Sequence, residues 1–555
     1  MKMGPQEFTS FSFNMMYFPW ILVASVVSIA NGYLLSSLSR GNRPIGTVRT
    51  VTSRKVPPSQ AGNQGFHNHM MTAAKISGEL SVVGDDIEIM PPSLGKGMKT
   101  VMKFGGSSLA NSERIMYVSK LIMKHFELGY KPVVVCSAMG KTTNSLLSAG
   151  DFALDGSVYI DSLRTLHTTT IKQLDLPDST LVDIEKILTE LQTLLEGIKC
   201  IGELTPRTKD FLVSFGERMS VRIVAANLNK LGVPSQGFDS WTIGMQTSSD
   251  FGNAEVLPTS YDKIKETLTK FDSMMVPVVT GFLGADPNNR ITTLGRGGSD
   301  LTATVLGAGL GVDEVQVWKD VDGIMTADPR LVQSALPVNA VTYEEAAELA
   351  SFGAEVLHPI SMQPAITSNI PVRVKNSYNP SAIGTIITAE RDMSDSLVTA
   401  ITSKNNIETI DIISTRMLGT YGFLSNVFRV FEECQVSVDV VASSDVSVSV
   451  TIDKKNTLQE NIHKLMSKLQ NFAEASILKE RCIVSIISNL ERSSEVMTTA
   501  FGVMERLGIQ CEMLSQGASK VNISIVVQMA EKDVLIKALH AVFFEGMPLD
   551  TVERI

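Results

Sequence analysis

The chain has 555 residues, more than one hydrophobic core can organise, so about three or four domains are expected. Hydrophobic residues make up 44% and charged residues 19%, with a net charge of −9 and no long run of lysine and arginine; this balance suits a globular protein and argues against nucleic-acid binding. The five cysteines (Cys136, Cys200, Cys434, Cys482 and Cys511) form no CxxC pair, which points to reduced thiols rather than a disulfide scaffold or a zinc site.

The first segment differs from the rest. No acidic residue lies between Glu7 and Glu79, while Arg40, Arg43, Arg49, Arg54, Lys55 and Lys75 are spread among many serines, threonines and glycines. An acid-poor, basic, Ser-rich start reads as an organelle transit segment. The apolar run Trp20 to Ala30 is short for a membrane span, and it leaves a secretory signal or membrane anchor as the alternative. Residues 1–97 are therefore set aside as leader and linker.

From Lys99 to about Asn376, short β-branched runs alternate with helical patterns. "TVMKF" precedes a helix near Asn111 to Leu128, and "KPVVVCSA" follows. Helices then cover roughly Asp161 to Gly197 and Pro206 to Leu231. After them come the strand "MMVPVVTGF", a helix from Ser299, the strand "EVQVWKD", a helix from Thr342 and the strand "PVRVKN". Such alternation predicts βαβ units, a mostly parallel sheet covered on both faces, and ligands beyond the carboxyl ends of its strands.

The chemistry-bearing segments fall at those ends. In "KFGGSS", Gly105 and Gly106 permit positive φ and close approach to an anion, Lys103 ends the strand, and Ser107 offers a hydroxyl. The lysine precedes the glycines, unlike a Walker A loop, and a plain strand-to-helix turn fits the segment equally well. In "LGRGGSDLTA", the pair Gly297 and Gly298 leads to Ser299 as an expected N-cap and to Asp300 in the first helical turn. Arg296 can fork onto a carboxylate or phosphate. Asp300 can hold a cation, orient the lysine, or merely complement the helix dipole. "SFGERMS" sets Glu217 and Arg218 in a helical stretch interrupted by Gly216, read on its own as a solvated charge pair. "VWKDVDGIMTADPR" carries Lys319, Asp320, Asp322, Asp328 and Arg330 in a loop suited to nucleotide recognition or to turn chemistry. His358, without a partner ligand nearby, reads as structural.

From about Ile407 the chain repeats itself: Ile412 aligns with Ile486, Phe428 with Phe501 and Val436 with Ile509. Each copy reads strand, amphipathic helix, strand, strand, which predicts two α+β modules with helices on one face of a small sheet.

Taken in order, "KFGGSSLANSERI", "VVVCSAMGKTTNSLL", "SFGERMS", "GRGGSDLTA", "VWKDVDGIMTADPR" and "FGAEVLHP" resemble the aspartate kinases of the amino acid kinase family, and the repeat resembles their tandem ACT domains. The resemblance spans Lys99 to Ile555. It implies a three-layer αβα kinase domain over residues 98–395 and ferredoxin-like ACT domains over 405–478 and 479–555, the first possibly completed by the C-terminal strand. It implies ATP with Mg²⁺ as cosubstrate and L-aspartate as phosphoryl acceptor. By similarity, Lys103, Gly105, Gly106 and Ser107 face the ATP phosphates, and Lys319, Asp320 and Arg330 line the adenosine side. Thr143, Glu217, Arg296 and Ser299 hold aspartate, and Asp300 organises Lys103. Met417, Gly422, Phe423, Val438, Asp439, Ser443 and Ser444 form an effector site in the first ACT copy, for lysine above all or S-adenosylmethionine. The second copy has Gln516 and Gly517 opposite the serines and lacks the "YGF" turn. Glu355 and Met325 stand where some relatives have lysine and tyrosine. A homo-oligomer through the ACT domains also follows from the likeness; the leader's composition gives a plastid location and no membrane attachment of the mature protein as the expectation, and with no Rossmann glycine motif after the repeat no fused homoserine dehydrogenase is expected. The rival readings are another amino acid kinase or a catalytically inactive ACT-based sensor.

Overall fold

The computed structural model describes residues 97–553 apart from 272–273, 355–356, 394–395, 415–420, 445, 456 and 517–518. The leader, Glu355, Met417 and Gly517 therefore lie outside the described residues. No helix among the described residues is long and apolar enough to cross a membrane.

The first part runs β1 (Lys99–Phe104), α1 (Ser112–Glu127), β2 (Lys131–Cys136), α2 (Thr142–Leu154), α3 (Asp161–Gln173), α4 (Asp178–Ile201), α5 (Pro206–Lys230), β3 (Ser235–Phe238) and α6 (Thr259–Leu268). It continues with β4 (Val276–Thr280), the hairpin β5 (Leu283–Ala285) and β6 (Ile291–Thr293), α7 (Gly298–Leu310), β7 (Glu314–Lys319), β8 (Ala340–Thr342), α8 (Tyr343–Ser351), α9 (Pro359–Thr367), β9 (Val372–Asn376) and β10 (Thr385–Thr388). Eight of these strands form one sheet in the order β3-β4-β2-β1-β7-β9-β10-β8. All neighbours are parallel except β9 and β10.

The central strands are buried on both faces, which is why they read as continuous apolar runs instead of alternating ones. Phe104 and Trp318 face a core shared with Ile122, Leu188 and Phe215 of α1, α4 and α5. Val101 and Val317 face the other core, with Ile264, Leu306 and Met362 of α6, α7 and α9. The result is the expected αβα sandwich. Local signals explain several boundaries. Asn111 caps α1 by accepting the Arg114 N–H at 2.9 Å, and Thr342 with Glu345 forms a capping box at α8. The helical pattern from Asp161 to Gly197 is two helices, because Asp175 takes φ +50° and Pro177 follows.

The second part runs β11 (Val398–Ile413), α10 (Phe423–Glu433), β12 (Val441–Ser443), β13 (Ser447–Asp453), α11 (Gln459–Leu469), β14 (Glu474–Ser488), α12 (Ser493–Leu507), β15 (Met513–Gln516), β16 (Asn522–Gln528) and α13 (Lys532–Phe544). Six strands make one antiparallel sheet, β12-β13-β11-β14-β16-β15. Its two middle strands are shared by the repeats. Residues 407–413 of β11 pair with β13 and 409–413 with 474–478 of β14, while 398–404 pair with 483–488 of β14. At the change-over Asn406 and Glu480 take φ +59° and +58°, and the register slips between Lys404 and Thr409. These irregularities let one strand pair in two registers within the single sheet. The expected C-terminal strand completing the first repeat is not found: after α13 the described chain ends in the short turn Leu549–Thr551. Instead the second repeat borrows 398–404, from before the first. It is the interleaving expected, with the strand supplied from the opposite end.

Candidate active site

Because β1, β2, β4 and β7 are parallel, their carboxyl ends share one edge, and the turns leaving them converge there. Lys103 alternates with Met102 and Phe104 along β1, so its side chain points to the α7 side of the sheet. There its Nζ lies 2.6 Å from Asp300 Oδ1, with both side chains about nine-tenths buried. A pair so dry contributes little net stability but holds the ammonium in one place.

The two glycine turns reach this pair by different means. Gly105 and Gly106 do not use positive φ; Gly106 has φ −59°. A Cβ on Gly106 would lie 2.9 Å from the Gly140 carbonyl oxygen and 3.0 Å from that of Ala138, whereas one on Gly105 would meet only Lys103 Nζ, at 3.9 Å. Gly106 thus permits backbone packing, and Gly105 keeps the space over the lysine open. On the other side Gly295 and Gly297 are left-handed, at φ +69° and +74°. Gly297, not Ser299, is the N-cap of α7, because Leu301 N–H already bonds the Gly297 carbonyl at 2.9 Å. Ser299 is freed to accept the Ser137 hydroxyl at 3.1 Å. Arg296, between the left-handed glycines, is exposed and makes no ion pair among the described residues.

The segment after β2, Ser137 to Gly140, is the hub that sequence reading missed. It bonds β1 through Ser137 N–H to the Phe104 carbonyl and Gly140 N–H to the Gly106 carbonyl, α7 through Ser299, and α5 through Ala138 N–H to Glu217 Oε1 at 3.2 Å. Thr143 is half-buried in the first turn of α2, directly after the hub. Glu217 and Arg218 are not a solvated pair. Glu217 is buried, with Oε2 unpartnered, and burial pushes its carboxyl up to about 8. Arg218 turns the other way, to Glu190 at 2.9 Å. Nor does Gly216 interrupt the helix: α5 runs through it, and a Cβ there would stand 2.8 Å from Ala138 Cβ. Asp210, two turns before Glu217 on the same face, accepts the Gly252 and Thr293 N–H groups, both at 2.9 Å, and so braces the approach to Gly295. A buried acid seven residues from Glu217 was the available signal.

The Lys319–Arg330 segment is only partly at the crevice. Lys319 ends β7 beside β1, and Asp320 is exposed just beyond. Asp322 accepts Asn376 and Asn379 amides at 2.8 and 3.1 Å, a clamp from the loop after β9 that sequence reading also missed. Tyr378 of that loop donates to the Ser107 carbonyl at 3.1 Å and stacks under Arg114, tying it to the glycine turn. Arg330 forks onto Asp328 instead, in a stretch whose Ala327 and Val332 lie in the core of the second repeat. His358 packs against Gly297, whose Cβ would stand 2.7 Å from its own.

An amino acid kinase family model matches residues 98–376 and an ACT domain model residues 484–543. Aspartokinase 1, chloroplastic, of Arabidopsis thaliana is 48% identical over 468 residues, 81% of either chain. This chain belongs to the aspartokinase family. Among solved structures, E. coli aspartokinase III in complex with aspartate and ADP (R-state) matches at 30% identity with a TM-score of 0.67, over 80% of this chain and 99% of that one. The same enzyme in complex with lysine and aspartate (T-state) gives the same values. The aspartokinase's other expected site, in the first repeat, has Gly422 as the left-handed N-cap of α10 and Phe423 packed on Phe472. Val438 and Asp439 precede β12, whose last residue Ser443 is exposed, as is Ser444. Asp439 is engaged by Lys404 at 2.8 Å, which also reaches Asp453 at 3.6 Å.

Proposed function

We propose that this aspartokinase transfers the γ-phosphoryl group of ATP to the side-chain carboxylate of L-aspartate at the crevice around Lys103, giving ADP and 4-phospho-L-aspartate. The observation that carries this reading is the buried Lys103–Asp300 pair between two glycine turns. The nucleophile is a carboxylate with a pKa of about 4, ionised at neutral pH, so no general base is required and the work is alignment and relief of repulsion between anions. Lys103 sets a fixed positive charge where the phosphoryl group crosses, while Gly105 and Gly106 let the phosphates approach the backbone, with Ser107 and Asp320 at the rim. Arg296, which makes no ion pair among the described residues, suits the α-carboxylate, and the Glu217 oxygen without a partner among them suits the α-ammonium, with Thr143 and Ser299 as hydroxyl donors. Among the described residues no three His, Cys, Asp or Glu gather for a metal ion, so Mg²⁺ would enter on the nucleotide, where it neutralises phosphate charge. A coupled assay over a panel of carboxylates tests the reading. Aspartate-dependent ADP release is expected, and its absence would refute the proposal.

We further propose that the protein works in the plastid stroma as a homo-oligomer joined through its ACT modules, and that lysine inhibits it at Gly422, Phe423, Val438, Asp439, Ser443 and Ser444, with Met417 beside them outside the described residues. The acid-poor leader, the chloroplastic relative and the lysine-bound E. coli enzyme support this. Titrating lysine, threonine and S-adenosylmethionine into the assay decides among effectors; indifference to all three would sink the regulatory half.

A further inference from the structure

The second ACT module holds the nucleotide-side loop of the kinase from three directions. Thr326 is buried in that loop, after Asp320 and Asp322 and just before Asp328. Its carbonyl accepts the N–H of Ile401 in β11 at 2.8 Å. Its hydroxyl accepts the Leu336 N–H at 2.9 Å and meets Nε2 of His540, on α13, also at 2.9 Å. His540 is wholly enclosed, and its Nδ1 lies 2.8 Å from Glu545 Oε1, which in turn accepts the Ser334 hydroxyl at 2.6 Å. The Glu545 carboxylate can only accept, so Nδ1 carries the ring proton and donates it there, and in the neutral ring Nε2 is left to accept the Thr326 hydroxyl. The circuit starts and ends on the loop (Thr326 and Ser334) and passes through the regulatory module between. Ala327 and Val332 lie in that module's core with Leu535 and Leu539 of α13, so the loop cannot move without α13 feeling it.

We propose that His540 is a positioning residue for nucleotide binding: it fixes Thr326 and thereby the loop from Asp320 to Arg330, so that the state of the second ACT module sets affinity for ATP and leaves the chemical step alone. This rests on the reading of that loop as the nucleotide side. A buried imidazole that bonds a hydroxyl on one domain and a carboxylate on another has two partners to keep, and a shift of α13 breaks one of them.

Steady-state kinetics of the full chain test it. Thr326→Val and His540→Gln should each raise KM for ATP about fivefold, the effect of one buried hydrogen bond, with kcat and KM for aspartate within about twofold. Thr326→Ser should restore the parent value. The double variant should be no worse than the poorer single one, since both break the same link. Glu545→Gln, at the partly exposed end of the circuit, perturbs folding least and should move KM for ATP in the same direction by about twofold. Variants that lower the unfolding temperature with KM for ATP unchanged would overturn the proposal, as would an additive double variant. Asp320→Ala, at the exposed crevice end of the loop, separates the two readings. An unchanged KM for ATP there refutes the nucleotide side of the loop, and the latch with it; a raised one beside unaffected Thr326 and His540 variants refutes the latch alone.

Discussion

Two Gly-Gly-Ser turns face each other across the Lys103–Asp300 pair, and they need glycine for unlike reasons. At Gly105-Gly106-Ser107 the backbone is ordinary, and Gly106 is required because two carbonyls occupy the place of a Cβ. At Gly297-Gly298-Ser299 chirality is added to packing: Gly297 is left-handed and starts α7, and a Cβ on it would also meet that of His358 at 2.7 Å. The first turn is a packing solution that leaves the lysine's upper side open. The second is a conformational one that presents an arginine and drops an aspartate onto the lysine. The same tripeptide, on opposite walls of one crevice, does two jobs.

Substitutions can break that comparison at graded cost. Lys103→Met should lower kcat by about 10³-fold, the scale of losing one preorganised charge at a transferring group. It also leaves Asp300 buried and unpaired, so Lys103→Met/Asp300→Asn should recover thermal stability without recovering activity, as calorimetry beside the assay would reveal. Gly106→Ala should cost about 1–3 kcal/mol in denaturant unfolding, because the obstructing atoms are backbone. Gly105→Ala, with open space, should stay within about 0.5 kcal/mol in stability yet raise KM for ATP; an equal loss from both alanines would erase the distinction between the two positions.

Glu217 adds a pH signature. Its folded-state pKa, about 8, lies above the ordinary carboxylate value of 4.5, so the folded protein holds a proton there that the unfolded chain releases, and stability falls as pH rises between the two values. The α-ammonium of aspartate needs the ionised form. KM for aspartate should therefore fall as pH goes from about 7 to 9, by at most about tenfold per unit, and Glu217→Gln should flatten the profile. The smallest effect belongs to its neighbour. Arg218→Ala removes an ion pair to a half-exposed partner and should change stability by about 1 kcal/mol or less.

The crevice residues were legible because the αβα core repeats strand, glycine turn and helix, and the motifs sit at the turns. Lys103 and Asp300 meet, with Arg296 and Ser299 on the turn that carries Asp300. The Ser137–Gly140 hub was not legible, since all but its Ser137 hydroxyl bond to Ser299 is made by backbone N–H groups that any sequence there would carry. Nor was the burial of Glu217 next to an Arg218 that leans on Phe215 and reaches Glu190, for adjacent helix positions diverge by about 100° and only packing says what each one meets. The shared strands were hidden for a different reason. The repeat aligns from Ile412 onward, so 398–404 looked like a connector, and the partner that makes it a strand lies in the other copy.

That borrowed strand has a cost in time. Ile401 pairs with Ile486, so when β11 leaves the ribosome its partner is still 85 residues from being made. At about 5–20 residues per second this is a wait of roughly 4–17 s, during which the strand has the Thr326 carbonyl to bond but the edge that β14 will cover stays open. Slowing synthesis between Ile401 and Ile486 lengthens that exposure, and a soluble yield that falls with the delay is the expected outcome.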